Sequence, residues 1–147
     1  MFLISGHIKV CKLIMGKIVN KNPFDKFGIT PLHMAAQKGH LQVCKMIMGF
    51  LEVIKNPIDI LGETPLHLAA KNGHFETCKL FIAHENVENP NPQDIFGLTP
   101  LHLASDRGHL DICRFILECI LEIEENCQKL LLYEGSLISS EPDLVPI

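Results

Sequence analysis

Residues 25–36 read Asp25-Lys26-Phe27-Gly28-Ile29-Thr30-Pro31-Leu32-His33-Met34-Ala35-Ala36, and the phrase returns twice. At residue 59 it is Asp-Ile-Leu-Gly-Glu-Thr-Pro-Leu-His-Leu-Ala-Ala, and at residue 94 Asp-Ile-Phe-Gly-Leu-Thr-Pro-Leu-His-Leu-Ala-Ser. Working outward, each copy runs on into Gly-His and an apolar segment, and this second half also stands alone at Ser5–Ile14. The glycines before His7, His40, His74 and His109 are 33, 34 and 35 residues apart. A period of this size marks a stacked array of small units, none of which buries its apolar face alone.

The letters of one copy predict its shape. Asn22-Pro23, Asp25 and Gly28 are turn chemistry: Pro sets φ, Asp bonds nearby backbone, and Gly accepts positive φ. Thr30 is a good N-cap, and Pro31 follows where a missing N–H costs nothing. Leu32, Ala35 and Ala36 recur on one helix face, and Gly39 closes a short helix in the left-handed conformation. A second helix opens near His40. Its inward face is expected to carry Leu41, Cys44, Ile47 and Met48. The matching sets are Ile8, Cys11, Ile14, Met15; Phe75, Cys78, Phe81, Ile82; and Leu110, Cys113, Ile116, Leu117.

Thr-Pro-Leu-His-x-Ala at this period resembles the ankyrin repeat, over roughly residues 5–118. The resemblance implies an all-α solenoid of helix-turn-helix units joined by β-turn or hairpin loops. The expected division is a half repeat at 1–21, repeats at 22–55, 56–90 and 91–121, and a helical extension with a loose tail at 122–147. The stretches Phe50–Asp59 and Ala83–Asp94 replace the family's usual Gly-Ala-Asp-Val-Asn exit with longer variants containing Asn-Pro. The half-built first unit points to a shortened form or fragment of a longer array, whose activity could lie in an absent domain. That is the alternative functional reading.

Composition bounds the function. With 47% hydrophobic and 20% charged residues the chain is globular in type. A net charge of -4 offers no basic excess for phosphate, so no nucleic-acid partner is expected. No apolar run approaches the roughly 18 residues of a membrane span. Met1-Phe-Leu-Ile is interrupted by His7, Lys9 and Lys12 too soon for a signal peptide, so a cytoplasmic or nuclear location is expected.

Eight histidines and six cysteines invite a metal reading. Seven of the histidines fall at repeat positions, and an imidazole can both donate and accept, tying two backbone segments together. The resemblance assigns Thr30, Pro31, His33, Gly39, then Thr64, Pro65, His67, Gly73, then Thr99, Pro100, His102, Gly108 to architecture, with the Thr-Pro-Leu-His histidines bonding the turns of neighbouring units. His40 and Cys44 form an i, i+4 pair suited to a metal, but a tetrahedral site needs four ligands, so no cofactor or metal is expected. Cys11, Cys44, Cys78 and Cys113 share one position. Equivalent residues on packed helices lie about 8–10 Å apart, too far for a disulfide, and read as small buried residues in a reducing compartment. No phosphate loop, nucleophile elbow or His-Glu-x-x-His is present, and no enzyme or small-molecule substrate is expected.

Function is left to the variable letters. The resemblance places Lys26, Phe27, Ile29, Gln37 and Lys38 on a concave binding side, followed by Ile60, Leu61, Glu63, Lys71 and Asn72, then Ile95, Phe96, Leu98, Asp106 and Arg107. Turn tips are normally polar, whereas Phe27, Leu61 and Phe96 make one apolar column and Ile60 and Ile95 another. An exposed apolar patch marks an interaction surface, so the expected partner is another protein.

Overall fold

The structure, a computed structural model, describes residues 7–17, 23–50, 56–84 and 89–139. Seven helices follow one another: α1 (Ile8–Lys17), α2 (Pro31–Lys38), α3 (Leu41–Met48), α4 (Pro65–Lys71), α5 (Phe75–His84), α6 (Pro100–Asp106) and α7 (Leu110–Ser139). No strand occurs among the described residues. The helices stack in two layers. The first helices run α2, α4, α6 in contact order, and the second helices run α1, α3, α5, α7.

Local chemistry explains each first helix. Thr30, Thr64 and Thr99 are extended N-caps whose hydroxyls accept from the backbone N–H three residues on, with Pro following. The return bond of this capping box comes from histidine rather than the usual Glu or Gln: Nδ1 of His33, His67 and His102 accepts the Thr N–H at 3.2, 3.0 and 3.1 Å. Gly39 then ends α2 at φ 68°, and His40 N–H closes the cap on Ala35 C=O.

The core confirms the inward residues Cys44, Ile47, Met48, Cys78, Phe81, Ile82 and Ile116. It also corrects the expected stripe. Val43, Thr77 and Ile112, four residues after their glycines, are buried, whereas Leu41 is half-buried and Leu110 lies in solvent. A second helix packs on its own first helix and on neighbouring second helices, two for α3 and α5 and one for α7, so its buried stripe is wider than one row. Leu117 and Ile14 are exposed as well, each at an end of the stack where one neighbour is missing. The side chains of Cys11 and Met15 lie outside the described residues. α7 continues unbroken through residues 121 and 122, three times the length of α5 or more precisely 30 residues against 10.

Candidate functional site

Each repeat opens on a turn built by one aspartate. Asp25 C=O accepts from Gly28 N–H at 3.0 Å, while Asp25 Oδ1 accepts from Phe27 N–H and Ile29 N–H at 2.8 and 2.9 Å. Asp59 and Asp94 repeat the arrangement around Leu61 and Phe96. Braced by its aspartate, the turn leaves the two residues after Asp exposed.

Successive turns are bonded to one another. Ile60 N–H donates to Phe27 C=O at 3.0 Å, and Ile95 N–H donates to Leu61 C=O at 2.9 Å. Histidines repeat the link one layer in: Nε2–H of His33 donates to Glu63 C=O at 3.0 Å and that of His67 to Leu98 C=O at 3.2 Å. A carbonyl can only accept, so the proton sits on Nε2 and Nδ1 is left to accept from Thr. The other histidine set makes a third link, from His74 Nε2 to Gln37 C=O at 2.9 Å and from His109 Nε2 to Lys71 C=O at 3.2 Å. Burial lowers the pKa of His33 and His67, against the opposing pull of the bonded carbonyls, and keeps both rings neutral.

These links hold the apolar tips in a row. Phe27, Leu61 and Phe96 are 49%, 38% and 69% exposed, and Ile60 and Ile95 are also open to solvent. Ile29 and Glu63 are half-buried, Leu98 is exposed, and the Lys26 ammonium lies 4.9 Å above the centre of the Phe27 ring. At the far ends of the first helices Gln37, Lys38, Asn72, Asp106 and Arg107 are exposed and Lys71 is half-buried. Burial, then the Asp59 carboxylate, raises the Glu63 pKa, with Lys71 opposing. Two apolar residues escaped the sequence reading, Phe24 and Ile58, both exposed. Each sits between a proline and the turn aspartate, and Pro57 is buried while Ile58 points out. An apolar residue directly before Asp was the available signal.

Among the described residues the cysteines form no disulfide. Cys44, Cys78, Cys113, Cys119 and Cys127 are free thiols, and burial pushes the pKa of Cys44 and of Cys78 up to about 12. Burial therefore disfavours the thiolate, the nucleophilic form, at Cys44 and Cys78. Among the described residues no group of three or more His, Cys, Asp and Glu side chains is placed to hold a metal ion. No helix among them is long and apolar enough to cross a membrane.

Two family models match the chain. Residues 49–129 match the model described as ankyrin repeats (3 copies), and residues 1–47 the model described as ankyrin repeats (many copies). No curated protein matches the chain.

Proposed function

The chain belongs to the ankyrin-repeat family, whose members are in general protein–protein interaction modules, and from that premise we propose that it captures a protein partner on the row of turn tips. The observation that carries this reading is the exposure of Phe27, Leu61 and Phe96, with Ile60 and Ile95 beside them, on turns braced by their aspartates. Such a row offers a rigid apolar strip with little conformational entropy to lose on binding. Lys38, Lys71, Asp106 and Arg107, at the far ends of the first helices, add both signs of charge, which suits orientation of a partner more than affinity. Phe24 and Ile58 widen the strip toward the start of the first two turns. The free thiols among the described residues fit a reducing compartment, cytoplasmic or nuclear.

Panning a displayed library of protein fragments tests the reading. Fragments selected on the chain should lose binding to the triple variant Phe27→Ser, Leu61→Ser, Phe96→Ser, whose helical circular dichroism and melting stay nearly unchanged. Binding that survives the triple variant, or a collapse of melting, assigns these side chains to another role.

A further inference from the structure

The two ends of the row of second helices carry opposite charge. α1 packs on α3 and α7 on α5, so α3 and α5 stand between them. On α1, Lys9, Lys12, Leu13 and Gly16 fall at i, i+3, i+4 and i+7, one face of the helix, and all are exposed. With Lys17 they line a shallow groove whose floor is Gly16, where an added Cβ would meet nothing within 4 Å. On α7 the same spacing holds Glu118, Leu121, Glu122 and Glu125, again all exposed. Leu13 is 61% and Leu121 57% exposed, each set among charges of one sign. α1 contains no acidic residue. Among the described residues the ion pair present is Glu76–Lys79, and no described residue forms an ion pair with either set of charges.

We propose that the protein associates head to tail with a second copy of itself, the Glu118–Glu125 stripe of one copy lying along the Lys9–Lys17 groove of the next. Leu121 then sits over Gly16 against Leu13, and three carboxylates meet three ammonium groups over the same length, about 10 Å of helix. A symmetric contact is disfavoured, because α7 against α7 opposes carboxylates and α1 against α1 opposes ammonium groups. An internal contact is blocked by α3 and α5. The contact is heterologous, so it propagates into short chains or closes into a ring.

Sedimentation velocity of the full chain across protein concentration tests this. At low ionic strength the mass should rise above the 16.5 kDa of one chain, and about 1 M salt, with a Debye length of about 3 Å, should return it to monomer. The variants Lys9→Glu, Lys12→Glu, Lys17→Glu and Glu118→Lys, Glu122→Lys, Glu125→Lys should each be monomeric, with helical circular dichroism retained. Their equimolar mixture should assemble again. If a triple variant loses helical signal, Gly16→Trp fills the groove from a position that touches nothing and should also leave monomer. The proposal fails if the wild-type chain is monomeric at low salt, if either triple variant still self-associates, or if the mixture does not.

Discussion

His67 and His102 occupy the same place in successive repeats and make the same bonds to their own threonines. His67 is fully buried and reaches on to Leu98 C=O, whereas His102 is exposed and no group among the described residues meets its Nε2. The contrast extends through the whole repeat. A Cβ at Gly73 would come within 2.7 Å of the His109 ring and one at Gly62 within 3.1 Å of Ile95 N, but at Gly108 and Gly97 it would meet nothing. Phe96 C=O likewise lacks the donor that Phe27 and Leu61 receive. Identical local sequence therefore builds identical turns and caps, while burial, the histidine link and glycine crowding are supplied by the following repeat.

Substitutions at paired positions can break that contrast. The largest difference is expected at the histidines. His67→Ala strands the buried Thr64 N–H and Leu98 C=O and should cost about 3 kcal/mol, while His102→Ala should cost about 1, read from denaturant unfolding. Equal losses would mean that the link to the next repeat contributes nothing. Next come the glycines. Gly39→Ala carries the left-handed strain of φ 68° and drives its Cβ into the His74 ring, displacing the bond to Gln37 C=O. It should cost about 2–3 kcal/mol, against about 1 for Gly108→Ala, which carries strain alone at φ 76°.

The smallest effect is on pH dependence. His33 and His67 have pKa values below the ordinary 6.5, so the unfolded chain binds protons first as pH falls. Their contribution is complete above pH 6.5 and is lost as pH drops from there through the lowered folded values. Denaturant midpoints should fall from pH 7 toward pH 5, and the slope should flatten in His33→Gln, His67→Gln. An unchanged slope would place the acid sensitivity elsewhere.

How much was legible follows the same division. The turn, the threonine cap, proline at the first position and the left-handed Gly39 are decided within a few residues, and every one is found as expected. The inter-repeat role of the Thr-Pro-Leu-His histidines came with the family resemblance and is seen at His33 and His67. What the letters could not show is where the stack stops covering itself. Leu110 and Leu117 share their register with residues that are buried or half-buried earlier in the chain, and among the described residues no second helix follows α7 to cover them. Val43, Thr77 and Ile112 were missed for a related reason, since their burial comes from neighbouring repeats rather than from periodicity along one helix. The exposed tips were legible as apolar letters, and their alignment into a row became visible through the Phe27–Ile60 and Leu61–Ile95 bonds.

Those bonds also bear on how such a molecule can change length. Every junction uses one donor from the later turn and one acceptor from the earlier, at matching letters. Excising residues 59–93 would bring Ile95 N–H to Phe27 C=O and Leu98 C=O to His33, restoring both links with no new complementarity to find. A duplication of the same block would fit as readily. The period is thus a recombination unit: gain or loss of a whole copy preserves the turn and histidine links at the seam, while a cut out of register leaves a histidine and a turn without their counterparts.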